Sequence, residues 1–440
     1  MYTKIKSKEI FEYIYNIIVL FFFIFEMPIC GIITTRRLSI LIVILTIFIK
    51  RDEYGGIWNC IKKKDILITS IGLLICFIIS VFNDIKFKNL YNPENSYFRP
   101  HYIIYLFLYI IVFAIYCAVE YKSIEQFSDT LSAIMIFQSI VVCISIISFD
   151  FRMFIYNNFY FGDDRFIKDN SLIRGSRGFG IALHSSTGSI ILCTACIVLT
   201  FLAIEKRISI KKYLTSALII MAGTFFVGRL GFAIELFLLG LYFIMSDIKL
   251  KDKLLGLLTL TVVFLLLITV ILNVINSDVA NQVKRWTGEL FNSETRFNTI
   301  NILNNMKYPK YFKEMVFGTN ITFGVMPDGQ IMESDIGYIK TYTALGIVGM
   351  ISYYGSFLYM YISSIRNMHN KKRILYFSII TLIIFVIEYK EPFIQKYIFS
   401  FVIFAAILFI LKQECEDKYN KDKVFEENVK KTHNRYFKFK

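Results

Sequence analysis

Four arginines stand where an apolar chain has little structural use for them: Arg174, Arg177, Arg229 and Arg296. Arg174 and Arg177 lie three apart in SLIRGSRGFGIALHSSTGS, and His184 follows Arg177 by seven, just where a long apolar run begins. In a helix the three share a face. With Gly175, Gly178 and Gly180 among them, the stretch can instead be extended and expose backbone N–H groups. Either way, fixed positive charge at the start of a membrane helix favours a phosphate or pyrophosphate. The competing reading makes both arginines anchors for lipid head groups, with His184 a plain interfacial residue.

Arg229 sits between glycines in GTFFVGRLGFAIELF, inside an apolar run of about thirty-four residues. At mid-membrane such a charge costs roughly 2.5–3.5 kcal/mol, so it either faces a watery interior or marks the tip of a tight hairpin. Glu235 follows about 240° further round a helix and cannot be assumed to neutralise it. In NSETRFNTINIL, Ser293 can cap a helix with Arg296 in its first turn, sharing a stripe with Ile300 and Leu303. That helix can lie flat on the membrane, or Arg296 is simply solvated. Glu333 and Asp335 come just before the apolar run that opens at Tyr338. Each can cap that helix, or serve as the carboxylate that deprotonates a hydroxyl.

No phosphate-binding P-loop, ATP-cassette signature, HExxH or Cys/His metal spacing is present in the sequence. No metal or other cofactor is therefore expected, and a reaction would draw on an already activated substrate. The eight cysteines are scattered, and Cys193-x-x-Cys196 falls within an apolar run, where two small buried hydrophobes are expected.

The elements that must position these residues are membrane helices. The chain is 56% hydrophobic and 19% charged, with mean hydropathy +0.55, too little polar residue to cover a soluble core of 440 residues. Apolar runs long enough for a bilayer recur at 12–33, 36–50, 65–82, 102–120, 129–149, 181–204, 213–228, 230–246, 254–276, 336–362, 374–389 and 394–411. The expected fold class is all-α: a polytopic integral membrane protein of about 12 transmembrane helices. Residues 1–411 form one transmembrane domain, with two long extracytoplasmic loops at 150–180 and 277–335. A charged tail follows at 412–440.

The net charge of +15 sits in short loops such as EKRISIKK and SSIRNMHNKKR, which all fall on one side if the runs alternate. By the positive-inside rule that side, with both termini, is cytoplasmic, and nucleic acid is not an expected partner. Among the short loops, the basic pair Arg36–Arg37 is the one that this count puts on the other side. No internal repeat of the transporter kind is visible, and only Pro28 of the six prolines lies near the interior of a run.

The ordered set of motifs resembles the O-antigen polymerase and O-antigen ligase-like membrane proteins (Wzy-type). It comprises RGSRGFGIALHSS opening a span, GRLGF between two spans, TRFNTINIL and VFGTN in a long loop, and ESDIGYIKTYTALGIVGMISYY leading into the closing spans. The resemblance covers most of the chain in architecture and implies a GT-C-like glycosyltransferase fold in the cytoplasmic (inner) membrane. It implies a reaction in which polyprenyl-pyrophosphate-linked oligosaccharide repeats are joined on the outer face, with polyprenyl pyrophosphate leaving. Arg177, Arg229 and Arg296 match the family's outer arginines, with Arg174 next. A ligase would be expected to carry a histidine where this chain has Glu333 and Asp335, so the pattern leans toward a polymerase. The implied partners are the lipid-linked oligosaccharide, membrane lipids and a chain-length regulator. A flippase of the same glycan is the main rival and a non-catalytic export scaffold the lesser one.

Overall fold

The computed structural model describes residues 2–30, 33–54, 63–87, 98–159, 180–181, 185–247, 309–322, 324–332, 334, 336–390 and 392–416, with isolated positions between 249 and 269. Its helices are α1 (Tyr2–Ile24), α2 (Thr35–Ile49), α3 (Lys63–Phe87), α4 (Pro100–Glu120), α5 (Ile124–Ile147), α6 (Phe149–Phe159) and α7 (Ser185–Ile204). Then come α8 (Ile210–Val227), α9 (Arg229–Met245), α10 (Phe312–Phe317), α11 (Gly337–Arg366), α12 (Lys371–Glu388) and α13 (Ile398–Glu416). Two short antiparallel ribbons join them: β1 (Pro28–Cys30) with β2 (Ile33–Thr34), and β3 (Gly324–Val325) with β4 (Ile331–Met332). Among the described residues, six helices (α3, α4, α5, α8, α11 and α13) are long and apolar enough to cross a bilayer. The protein is an all-α, multi-pass membrane protein.

Polar side chains set the helix starts. Ser123 accepts from the N–H of Gln126 at the head of α5, Ser209 from Lys212 at α8, Asn370 from Lys372 at α12, and Thr34 from Arg37 at α2. The apolar surround decides which helices go to the centre. Every described side chain of α7 from Gly188 to Ile204 is buried, as is every residue of α13 from Ile398 to Leu411. A helix that is apolar all round belongs inside the bundle. By contrast α3 keeps one face outward, with Leu67, Ile71, Leu74, Ile78 and Phe82 exposed. It packs its other face along α11, while α7 packs against α5, α8 and α9.

Ion pairs gather at one end of the bundle. Lys50 after α2 meets Glu120 at the foot of α4 at 2.7 Å. Arg373 at the head of α12 bridges Glu205 after α7 (2.9 Å) and Glu414 on α13 (3.2 Å). Arg207 binds Glu125 and donates to Gln413 at 3.0 Å, and Lys372 reaches Asp247 at 2.8 Å. This is the end to which the basic loops were assigned.

Helix boundaries differ from the apolar runs in two places. The run 12–33 stops as a helix at Ile24, because the β1–β2 ribbon takes over at Pro28. The loop at 150–180 opens with a further helix, α6, directly after α5. Arginines resolve both corners. Arg36 is buried and donates from Nε to Phe23 O (2.8 Å) and from Nη2 to Ile24 O (2.9 Å), and also binds Glu26 and Tyr397. Arg152 does the same for α5, donating to Ser145 O (2.7 Å) and Ile146 O (3.0 Å). Both satisfy carbonyls that a helix C-terminus leaves unbonded. The basic pair on the unexpected side is thus half accounted for by folding, with Arg36 serving a helix end.

Candidate functional site

The end of the bundle away from the ion pairs carries a small cap built from α10 and the β3–β4 ribbon. Its attachment begins with a glycine. In TALGIVG, Gly346 has φ 65° and ψ −176°, which interrupts α11 within its length. The break frees the carbonyls of Thr343 and Ala344 inside the bundle, where unpaired groups cost several kcal/mol in lipid. The cap supplies the missing donors. Thr319 N donates to Thr343 O at 2.9 Å, and Asn320 N to Ala344 O at 2.8 Å. Thr319 Oγ1 adds a second bond to Thr343 O at 3.0 Å.

The fit leaves no room for side chains at the crossing. Gly318, which ends α10 with φ 75°, has its Cβ position against Ala344 O, and that of Gly346 lies against Val316. The left-handed conformation and the close backbone approach both require glycine at these two positions. From α3, Asn83 Nδ2 donates to Phe317 O (2.6 Å) and Ala344 O (3.2 Å), and Asn320 Nδ2 returns to Ser80 O (2.7 Å). VFGTN and TALGIVG, two stretches of the sequence motif set, are therefore one clamp.

Above the clamp lies a separate apolar cluster of Phe87, Ile321, Met326, Met332, Ile336 and Ile339. Beside it Glu314 of α10 is buried, 6% exposed, and its Oε2 has no hydrogen-bond partner among the described residues. Asp328, in the turn between β3 and β4, accepts from Gln330 N at 3.0 Å through Oδ1 and leaves Oδ2 in the same condition. Burial pushes the Glu314 carboxyl above the usual glutamate value. The charge of Asp328 pushes it further, and Lys86 opposes. A buried carboxyl beside a second one holds its proton more tightly than an exposed glutamate does.

Another buried carboxylate, Glu388, is structural. Its Oε2 accepts from the N–H groups of Phe393 (2.6 Å) and Ile394 (3.1 Å), and Oε1 accepts from Tyr354 OH (2.8 Å). It thereby holds the turn after α12 against the start of α11, where Gly337 lies against it.

Arg229 is the first residue of α9, exposed, two residues past the end of α8 at Val227. It stands at the turn rather than inside the bundle, and the apolar run is two helices meeting at Gly228. Gly231 then seats α9 on α7, its N–H donating to Ser189 Oγ at 3.3 Å. Glu235 points the other way, as its spacing requires. It is 2% exposed, and its Oε1 accepts from Thr224 Oγ1 (2.9 Å) with Cys196 Sγ at 3.8 Å. Arg174, Arg177, His184, Arg296, Glu333 and Asp335 lie outside the described residues.

Sequence reasoning missed Glu314. An acid in KEMVFGTN carries no local signal, and only its position just before the clamp marks it. No family model matches the chain, and neither a curated protein nor a solved structure similar to it was found.

Proposed function

We propose that the protein is a membrane glycosyltransferase that polymerises polyprenyl-pyrophosphate-linked oligosaccharide repeats on the outer face of the cytoplasmic membrane. In this reading the chain crosses twelve times with both termini cytoplasmic, and the cap faces outward. The observation that supports it is Glu314 beside the clamp at Gly346: a buried carboxyl on the cap, at the end of the bundle opposite the ion pairs. Glu314 takes the proton of an acceptor sugar hydroxyl as the hydroxyl oxygen bonds to the donor's anomeric carbon. The bond from that carbon to the pyrophosphate oxygen breaks, and polyprenyl pyrophosphate leaves. Arg229 at the outer turn, with Arg174, Arg177 and Arg296, stabilises the charge on the departing group. Glu333 and Asp335 are the other candidate bases. The sugar–phosphate bond supplies the energy, so no step calls on a nucleotide or metal. A chain-length regulator is the protein partner of this reading.

The test is the length profile of surface and lipid-linked glycans in a strain lacking the gene, complemented with the native protein, Glu314→Gln or Arg229→Ala. Exported single repeats with long chains lost, and either variant behaving as the deletion while still reaching the membrane, is the expected result. Long chains that persist on polyprenyl pyrophosphate but never reach their anchor would make it a ligase.

A second reading, transport of the same lipid-linked glycan, has Glu235 on its side. A carboxyl enclosed among α7, α8 and α9, whose Oε2 has no hydrogen-bond partner among the described residues, is a feature of proton-coupled carriers. Repeats trapped on the cytoplasmic leaflet in the same strain would favour it.

A further inference from the structure

Glycosyl transfer at the cap makes no use of Glu235, which is enclosed where α7, α8 and α9 pack together. Its surroundings serve two protonation states. Thr224 Oγ1 stands 2.9 Å from Ile220 O and 2.9 Å from Glu235 Oε1. A hydroxyl has one hydrogen and cannot donate to both. With Glu235 charged, Thr224 donates to the carboxylate. With Glu235 protonated, Oε1 donates to Thr224 Oγ1, and Thr224 turns its own hydrogen to Ile220 O. Cys196 Sγ, 3.8 Å from Oε1, is the second neighbour. The titratable groups that face Glu235 are Cys193 and Cys196 on α7 and Tyr213 on α8, and no cation pairs with it among the described residues.

A file of buried polar side chains leads from Glu235 toward the end that carries the ion pairs. Cys196 and Thr200 lie one turn apart on α7, and Thr200 Oγ1 is 3.3 Å from Tyr213 OH. The Tyr213 ring packs on Tyr242 of α9, with centroids 4.7 Å apart. Ser246, the C-cap of α9, comes one turn beyond Tyr242, and Asp247 follows at the surface, paired with Lys372. Tyr242 OH and Ser246 Oγ share the condition of Glu235 Oε2: they are buried and have no hydrogen-bond partner among the described residues. Each such group is costly, and three along one line are explained together by a path that hands a proton from group to group. Where the file steps one helical turn, about 5.4 Å, a single bridging water spans it.

We propose that Glu235 is a proton-binding site within the membrane, exchanging its proton with the aqueous face at the ion-pair end by way of Thr200, Tyr213, Tyr242 and Ser246. A proton arrives on each hydroxyl oxygen as that hydroxyl's own hydrogen leaves on the other side. Every group of the file ends as it began, and only Glu235 changes charge. An ionisable side chain kept inside a membrane bundle is retained for such a role. The inference goes beyond the transport reading, which needs only a proton at Glu235, by assigning the route, and it does not depend on the reaction at the cap. Glycan profiles in cells test that reaction and proton exchange in purified protein tests this site, so each can fail alone.

The experiment is infrared spectroscopy of the purified full-length protein in phosphatidylcholine nanodiscs. As the pH is lowered, the native protein is expected to gain the carbonyl band of a protonated carboxyl that Glu235→Gln lacks. Thr224→Val keeps the carboxyl and is expected to move that band rather than delete it, which separates loss of the group from loss of the fold. On rapid mixing into heavy water the native band is expected to shift down, and Tyr242→Phe to slow the shift at least about tenfold. Tyr376→Phe, which removes a hydroxyl spent on Ile197 O at 2.6 Å beside the file, is expected to exchange as the native protein does. A Glu235→Gln spectrum that matches the native one throughout the titration would overturn the proposal. So would a Glu235 band that never exchanges, or one that exchanges at the native rate in Tyr242→Phe.

Discussion

The two ends of the bundle are held together by different physics. At the basic end, long flexible side chains reach between helices: Lys50 to Glu120, Arg373 to Glu205 and Glu414, Lys372 to Asp247. At the cap end, backbone meets backbone at Gly318 and Gly346, and amide donors answer freed carbonyls. Ion pairs at a surface tolerate sliding of an ångström and are weakened by salt. A glycine crossing tolerates almost none. Chemistry that depends on atomic placement belongs where the backbone itself is fixed.

The contrast is broken most severely at Gly346. Replacement by alanine forces a Cβ against Val316 and a left-handed backbone, at an expected cost of roughly 3 kcal/mol or more. Thermal melting in detergent, with limited proteolysis of the cap, measures it. A melting point within a degree of the native protein would mean that the clamp does not hold α11. Next comes Arg36→Ala, which strips Glu26 and two helix-end carbonyls of a buried partner. About 3 kcal/mol of destabilisation is expected, read by denaturant titration.

Glu314→Gln sharpens the contrast through pH. Because burial raises the Glu314 carboxyl, the neutral form is the one favoured by the folded cap. Cap stability is therefore fully present below the ordinary glutamate range and falls as pH rises through the raised value. Hydrogen exchange across Phe312–Phe317 should quicken over that window in the native protein and stay level in Glu314→Gln. A parallel trend in both would place the titrating group elsewhere. The smallest effect is expected at the exposed pair of the basic end: Lys372→Ala should cost about 1 kcal/mol or less, with part of the loss already present in native protein at high salt. A larger loss than that of Gly346→Ala would reverse the ranking of the two ends.

Much of the bundle was readable from apolar run length, since each described helix of the core coincides with one run. The runs do not say where a helix stops. The end of α1 at Ile24 depends on Arg36 collecting carbonyls, and that contact joins residues far from one another in kind as well as place. VFGTN and TALGIVG each stood out in the chain, yet their meeting is a tertiary fact that spacing cannot carry. Arg229 was conspicuous because charge is costly in an apolar run, and the turn at Gly228 places it where that cost is not incurred.

The enclosure of α13 has a consequence for how the protein is made. Ile398–Leu411 is buried along its whole length, yet it belongs to the last of the described helices to be synthesised. Until it arrives, the walls that α4, α5 and α11 present to Phe401, Phe409 and Ser400 lack the side chains they enclose. A chain cut before Ile398 would therefore keep the surrounding helices and lose the one they close around.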